Sequence, residues 1–160
     1  MSGQNLQDHE LFKTGYFAAG KWQQSGATFE VVNPATGESI ASVAKAGKKE
    51  TQAAIDAAYA AFPAWKRKTA KERSEILYRW YELILENKRY LAELMTAEQG
   101  KPVEEAEGEV VYAANFIQWF AEQGKRANGE IIPPAKPGSK IYATREPVGV
   151  VVAITPWNFP

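Results

Sequence analysis

The segment from Val148 to Pro160 reads Val-Gly-Val-Val-Val-Ala-Ile-Thr-Pro-Trp-Asn-Phe-Pro. Its first part, 148–154, is an apolar run rich in β-branched residues, a pattern typical of a strand buried on both faces of a parallel sheet. Pro156 and Pro160 prevent its continuation as a helix or a central strand. We therefore predict that residues 157–159 form a turn beyond the carboxyl end of the strand, where open α/β sheets bind ligands.

Asn158 in this turn supports two hypotheses. As a neutral side-chain donor it could stabilise a developing oxyanion, which would make it a catalytic residue. Alternatively, Asn158 caps a following helix and Trp157 belongs to the core, which is the more common use of both residue types. The residue types alone leave both hypotheses open.

Composition excludes several classes of site. The chain has 0 Cys, so it can form no disulfide, no thiolate nucleophile and no thiolate metal site. Its 1 His, His9, lies in a polar amino-terminal stretch, where we expect it to be solvated, and neither a Ser-His pair nor a metal site is predicted. The formal net charge is +0 and the longest basic cluster is 66–68, which argues against nucleic-acid binding.

The sequence shows no sign of membrane targeting. The amino terminus lacks a basic region followed by an apolar core, and no apolar run approaches the length that spans a bilayer. We expect a cytoplasmic protein with no membrane partner. With 160 residues, of which 45% are hydrophobic, the chain is long enough to bury a core.

Short β-prone pieces dominate residues 15–43. They lie at 16–17, 28–32 and 39–43 and are separated by turn residues. Between the last two, residues 33–37 read Asn-Pro-Ala-Thr-Gly, which places Pro at the second turn position and suits a tight reversal. We predict a small antiparallel meander.

Helices are predicted over residues 48–128. The first presents a small-residue face and is expected to end near Pro63 and Trp65. Thr69 stands three residues before Glu72, a capping box that opens the second helix. The small-residue face consists of Ala53, Ala57, Ala61 and Phe62.

The second half of this helical region has the most regular pattern. A break is predicted near Asn87, and Gly100 followed by Pro102 is a stop signal. A long helix is predicted over 103–126, where apolar residues recur at spacings of three and four. Its aromatic stripe belongs either to the core, the usual case, or to a substrate passage. The apolar face comprises Val103, Ala106, Val110, Ala113, Ile117, Phe120 and Gly124, and the stripe comprises Tyr112, Phe116, Trp119 and Phe120.

A stiff connector follows the helices. Residues 133–139 read Pro-Pro-Ala-Lys-Pro-Gly-Ser and have no helix or strand potential. Residues 140–145 then alternate like an exposed strand. An uncovered strand at a sheet edge invites pairing with another subunit, which is a weak sign of an oligomer.

Four motifs give the sequence a resemblance to the aldehyde dehydrogenase superfamily, from about residue 12 to residue 160. They are most similar to the succinate-semialdehyde dehydrogenase branch. The resemblance implies an α/β fold, represented here by a small antiparallel meander, a helical layer and the first strand of an incomplete Rossmann-type cofactor sheet. The motifs are 33–37, Glu98-Gln-Gly-Lys-Pro102 with Glu105-Ala-Glu-Gly-Glu109, Trp119-Phe-Ala-Glu-Gln-Gly-Lys-Arg126, and 145–160.

The resemblance also implies a division of the chain. Residues 1–13 are a polar amino-terminal tail, and 14–132 are the amino-terminal part of the cofactor-binding domain. Residues 133–147 are a connector with an oligomerisation-type strand, and we expect one arm of an oligomerisation hairpin there. Residues 148–160 comprise the first cofactor-sheet strand and an elbow of sequence Pro-Trp-Asn-Phe-Pro.

Individual residues acquire roles from the same resemblance. In the family, the Asn of the elbow motif donates to the oxyanion of a tetrahedral adduct, which makes Asn158 catalytic. No metal is implied. The residues that match the cofactor cleft are Ile154, Thr155, Pro156, Trp157 and Asn158, and those that match the substrate tunnel are Tyr112, Phe116, Phe120 and Phe159.

The implied activity is oxidation of succinate semialdehyde to succinate with NAD or NADP, through a cysteine thiohemiacetal and a thioester. The catalytic Cys and Glu of the family have no counterpart among these 160 residues. We therefore expect an amino-terminal fragment, inactive alone, of a parent enzyme that forms a homodimer or homotetramer. Glutarate semialdehyde is an alternative substrate, and a non-catalytic helical interaction module is an alternative function.

Overall fold

The computed structural model describes residues 5–160, and within them four α-helices and six short strands form. Single 3₁₀ turns lie at Leu6–Asp8 and Gly124–Arg126. The elements are β1 (Tyr16–Ala18), β2 (Lys21–Gln23), β3 (Thr28–Val32), β4 (Ser39–Ala44), α1 (Lys48–Arg67), α2 (Ala70–Glu86), α3 (Lys88–Gln99), α4 (Val103–Gln123), β5 (Glu130–Ile132) and β6 (Ile141–Ala143).

The first four strands form two separate antiparallel hairpins, β1 with β2 and β3 with β4. The predicted small antiparallel meander thus takes the form of two hairpins, and no ladder joins β2 to β3 among the described residues. The predicted turn is confirmed: the Gly37 amide donates to the Asn33 carbonyl at 2.8 Å, and Gly37 has a φ of 75°. Glycine suits this position, since a side chain is strained at positive φ.

Helix α1 continues through Pro63 to Arg67, so the predicted end near Pro63 and Trp65 is wrong. Proline removes one backbone hydrogen bond inside a helix. Here Pro63 and the preceding turn are exposed, and water can satisfy the carbonyl that is released. The C-cap is Lys68, whose amide donates to the Trp65 carbonyl at 3.1 Å.

The predicted signals at the other helix ends are confirmed. The Thr69 amide donates to Glu72 Oε2 at 2.7 Å, and the Glu72 amide donates to Thr69 Oγ1 at 3.2 Å, which is a reciprocal capping box. Asn87 separates α2 from α3 and donates from Nδ2 to the Leu83 carbonyl at 2.8 Å. Gly100 ends α3 at a φ of 79°.

Removal of the Thr69 cap should reduce the helicity of α2. In a peptide of residues 66–87, Thr69→Ala should cost about 1 kcal/mol of helix stability, because it leaves the Glu72 backbone amide without its acceptor. Far-ultraviolet circular dichroism at low temperature measures the change. Thr69→Ser retains the hydroxyl and is the matched control, and equal loss in both variants would contradict the cap.

Helix α4 packs against both α2 and α3, and its buried stripe consists mainly of alanines. The predicted face is correct at Ala106 and Val110 but wrong further along, where Ala113 and Phe120 are exposed. Small side chains let the helix axes approach closely, which favours the alanine stripe over the aromatic one at these contacts. The buried apolar residues of the described chain are Ala18, Ala92, Ala106, Val110, Ala114 and Ala121.

Polar contacts fix the helices relative to one another. Tyr78 Oη on α2 donates to Glu122 Oε1 on α4 at 2.7 Å. Between α3 and α4, Lys88 Nζ lies 3.2 Å from Glu107 Oε2, and Arg89 donates to the same carboxylate at 2.9 Å. Helix α4 therefore makes polar contacts with α2 and with α3.

The amino-terminal tail packs against α3. The His9 ring stacks on Tyr90 with centroids 3.7 Å apart, and Tyr90 Oη donates to the Leu6 carbonyl at 3.0 Å. Gln7 Nε2 donates to the Ile40 carbonyl at 2.7 Å. The expectation that His9 is simply solvated is therefore wrong, and residues 1–4 of the predicted tail lie outside the described residues.

Strands β5 and β6 pair with each other as an antiparallel hairpin. The exposed strand predicted at 140–145 is confirmed as β6, but β5 was not predicted, so both arms of this hairpin are present rather than one. The intervening residues, 133–140, form its long loop.

The strand predicted at 148–154 does not form. Val148 is 90% exposed and Ile154 is 92% exposed, and no segment of residues 5–160 pairs with this run. A strand exists through the ladder bonds of its neighbours, so an apolar, β-branched sequence without a partner remains irregular. The turn beyond it is confirmed, since the Phe159 amide donates to the Pro156 carbonyl at 3.1 Å.

Among the helices that the structure describes, none has both the length and the apolar character needed to cross a bilayer.

Candidate functional site

The elbow, residues 156–160, lies beside the junction of α3 and α4, where Lys101 reaches it. Lys101 Nζ donates to the Asn158 backbone carbonyl at 2.9 Å and lies 4.6 Å from the centre of the Phe159 ring. The same ammonium forms an ion pair with Glu109. The side chains of Lys101 and Glu109 are only 15% and 11% exposed, so their ion pair is largely shielded from water, whereas the hydrogen bond to the Asn158 carbonyl lies at the surface.

A groove of about 600 Å³ lies on one side of the elbow. Its walls come from the end of α2, from α3 and α4 and from the elbow, and most of its lining is apolar. Tyr112 and Phe116 form an edge-to-face pair with centroids 5.0 Å apart, and Phe159 completes this part of the wall. The lining consists of Ile84, Leu91, Leu94, Met95, Glu98, Glu109, Val110, Tyr112, Ala113, Phe116, Phe159 and Pro160.

A second groove, also of about 600 Å³, lies on the other side of the elbow. Thr155, Pro156 and Trp157 face it, opposite β3 and the end of α3. Trp157 is 71% exposed, which contradicts its interpretation as a core residue. Met95, Glu98 and Pro160 line both grooves, so the elbow and the end of α3 form a wall between two spaces.

The predicted site residues fall into four groups. Tyr112, Phe116 and Phe159 meet on the first groove, and Thr155, Pro156 and Trp157 meet on the second. Asn158 is exposed and lies at a smaller hollow with Lys101, Glu105, Gly108, Glu109, Tyr112 and Phe159. Phe120 and Ile154 are not brought to these grooves, and both are exposed. The roles assigned to all these residues remain predictions.

Two polar residues of the site were not predicted as functional. Glu98 lies at the meeting of the two grooves, and desolvation by the surrounding chain raises the pKa of its carboxyl although the residue is still partly exposed. The motif Glu98-Gln-Gly-Lys-Pro102 contained both Glu98 and Lys101. Two charged residues flanking a helix stop are the signal that could have identified them, but their placement beside the elbow is not visible in sequence.

Comparison with known proteins shows that the chain belongs to the aldehyde dehydrogenase family, whose model matches residues 22–160. The chain is 52% identical over 157 residues to a glutarate-semialdehyde dehydrogenase of Pseudomonas putida, covering 97% of this chain and 33% of the relative. It is 50% identical over 157 residues to the NADP(+) succinate-semialdehyde dehydrogenase of Escherichia coli, again covering 97% of this chain and 33% of the relative.

The fold is similar to that of solved members of the family. The structure of succinate-semialdehyde dehydrogenase from Burkholderia pseudomallei matches with a TM-score of 0.89 and 52% identity, over 93% of this chain and 31% of that one. The family resemblance predicted from the motifs is thus confirmed. The chain spans about a third of the length of the relatives that it matches.

Proposed function

We propose that these residues form the amino-terminal part of an NAD(P)+-dependent dehydrogenase that oxidises a short semialdehyde, with succinate semialdehyde as the first candidate and glutarate semialdehyde as the second. One observation carries the proposal: the elbow that contains Asn158 separates two grooves of similar size. An oxidation of this kind brings two molecules to opposite sides of one reacting centre. The names of the relatives in Pseudomonas putida and Escherichia coli support the substrate class.

The second groove suits the nicotinamide end of a dinucleotide. Pro156 and Trp157 offer flat apolar surfaces beside a Thr155 hydroxyl, and Gln99 Nε2 at the same groove is a buried donor without an acceptor in the described chain. A heteroaromatic ring would stack on Pro156 and Trp157. Because Gln99 Nε2 is buried, its amide would donate to a ligand in this groove only after rotation of the side chain. When bound, NAD(P)+ supplies the acceptor for hydride.

The first groove suits the aldehyde. Tyr112, Phe116 and Phe159 line it with aromatic surface, which offers apolar contacts to a short aliphatic chain. Asn158 is anchored through its backbone carbonyl, so its side-chain amide remains free to donate to a carbonyl oxygen that gains charge. The proposed contribution of Asn158 is electrostatic stabilisation of that oxygen. The nucleophile is not among these residues.

The β5–β6 hairpin supports the proposed homodimer or homotetramer. Ile131 and Tyr142 lie on paired strands and are exposed, and both edges of a two-stranded sheet are open to further pairing. A second subunit that adds a strand there would cover apolar surface and satisfy the free backbone groups.

A hybrid enzyme tests the proposal. In it, residues 1–160 replace the corresponding third of the Escherichia coli relative, which supplies the rest of the catalytic machinery. We expect the hybrid to oxidise succinate semialdehyde, and glutarate semialdehyde more slowly, with reduction of NADP+ followed by absorbance. The 160-residue chain alone, with 0 Cys, should show neither turnover nor saturable binding of NAD(P)+ by calorimetry.

The controls separate folding from function. The unmodified relative measured in parallel sets the reference rate. A hybrid that is folded by circular dichroism and binds NADP+, yet oxidises neither semialdehyde, would contradict the proposed substrate class. Saturable micromolar cofactor binding by the 160-residue chain would contradict the proposal that these residues form only part of the cofactor site.

A further inference from the structure

We propose that Lys101 is a positioning residue that sets the location of Asn158 through its backbone carbonyl. The inference rests on the proposed function of Asn158 and extends it to a residue on a different element. Its basis is the contact of Lys101 Nζ with the Asn158 carbonyl oxygen at 2.9 Å, together with the approach of the same nitrogen to the Phe159 ring at 4.6 Å. One ammonium thus touches two consecutive residues of the elbow.

The chemistry of the contact suits this role. A lysine ammonium has three donors, and here Glu109 accepts one and the Asn158 carbonyl accepts another. The Phe159 ring face attracts the same positive charge. Because the side chains of Lys101 and Glu109 are 15% and 11% exposed, their ion pair is less open to water than a surface pair, and Glu109 keeps the ammonium beside the elbow.

The position of Lys101 is itself fixed by the chain around it. Gly100 ends α3 in the left-handed region with a φ of 79°, and Pro102 precedes the first residue of α4. Lys101 is therefore held between two helix ends, and its partner Glu109 lies two turns into α4. The elbow has no ladder partner in the described residues. The Lys101 side chain therefore connects it to the α3–α4 pair.

Turnover in the hybrid enzyme tests the inference through a double-mutant cycle. Lys101→Met should lower kcat by roughly tenfold to a hundredfold with little change in KM, because a small displacement of an oxyanion donor has effects of this size. The loss should be non-additive: Lys101→Met combined with Asn158→Ala should be within about twofold of Asn158→Ala alone, since both changes remove one function. Losses that multiply would overturn the proposal.

Lys88→Met is the matched control. It also removes a lysine that pairs with a glutamate across α3 and α4, but Lys88 contacts Glu107 and has no contact with the elbow. Lys88→Met should leave kcat nearly unchanged, and its effect should be additive with that of Asn158→Ala. Lys101→Arg keeps a cationic donor and should recover most of the loss. Should Lys101→Met fail to fold, Glu109→Gln enters the same cycle, and we expect a smaller loss that is again non-additive.

A second readout separates this inference from the proposed function. Hydrogen exchange of the peptide that covers residues 155–160 should become at least several-fold faster in Lys101→Met and stay unchanged in Lys88→Met. Unchanged exchange in Lys101→Met overturns the positioning role. Full turnover in Asn158→Ala, by contrast, overturns the proposed role of Asn158, while the exchange result still decides whether Lys101 holds the elbow.

Discussion

Asn158→Ala in the hybrid enzyme is expected to lower kcat by about a hundredfold to a thousandfold, with a much smaller change in KM. The aldehyde oxygen is nearly neutral while the substrate binds and becomes negative only in the tetrahedral transition state. A donor aimed at that oxygen therefore contributes mainly to turnover. The Asn158 backbone is held by Lys101, so the truncation should leave the elbow in place. Steady-state kinetics on the semialdehyde measures both constants.

Asn158→Asp distinguishes catalysis from helix capping. A carboxylate would face the developing oxyanion and should reduce turnover at least as much as alanine does. The capping interpretation gives the opposite expectation, since Asp caps a helix as well as Asn. Asn128→Ala, at an exposed position before β5, is the control for a general effect of losing an amide. Near wild-type turnover in Asn158→Asp would remove Asn158 from the mechanism.

The second large effect concerns the 160-residue chain by itself, which we expect to self-associate and to bind an apolar dye. Its buried apolar residues in the described part are five alanines and Val110, and no large side chain is fully buried. Exposed apolar residues extend from the 148–154 run to the aromatic stripe of α4. Extensive exposed apolar surface promotes association between copies of a chain. Sedimentation and dye fluorescence measure the effect.

The variant Val151→Lys with Ile154→Lys tests the source of this association. Both residues lie in the unpaired run and are exposed, so the changes should reduce dye binding without loss of helical circular dichroism. The pair Gln52→Lys with Gln118→Lys adds the same charge on helices and should leave dye binding nearly unchanged. A wild-type chain that is monodisperse and melts in one sharp transition would contradict the prediction.

Local chemistry made the helix ends predictable. Thr69 and Glu72 form their reciprocal hydrogen bonds within one helical turn. Gly100 ends α3 by adopting a positive φ, so both signals lie within a few residues. The path of α1 through Pro63 was not predictable in this way, because it depends on solvent exposure of the helix. Burial along α4 was shifted from the aromatic positions to Ala114 and Ala121 because the neighbouring helices select small residues.

The candidate site was predictable only in its central residues. The elbow has a distinctive sequence, and Tyr112 and Phe116 stand one turn apart on a regular helix, so their common placement follows from helical spacing. Lys101 lies 57 positions from Asn158, and a contact at that distance has no periodic signal. The prediction of a strand at 148–154 was wrong for a related reason. Its apolar pattern is typical of a strand between two partners, and residues 5–160 supply no partner.

The wall formed by Met95, Glu98 and Pro160 couples the shapes of the two grooves. A side chain that becomes larger or smaller there changes the volume on both sides. Under the proposed function, selectivity for one of the two small molecules could not be altered at these positions without disturbing the other. Phe116 faces only the first groove and Val43 only the second. Natural variation or directed evolution that re-targets one ligand should therefore accumulate at positions such as these, while the shared wall changes slowly.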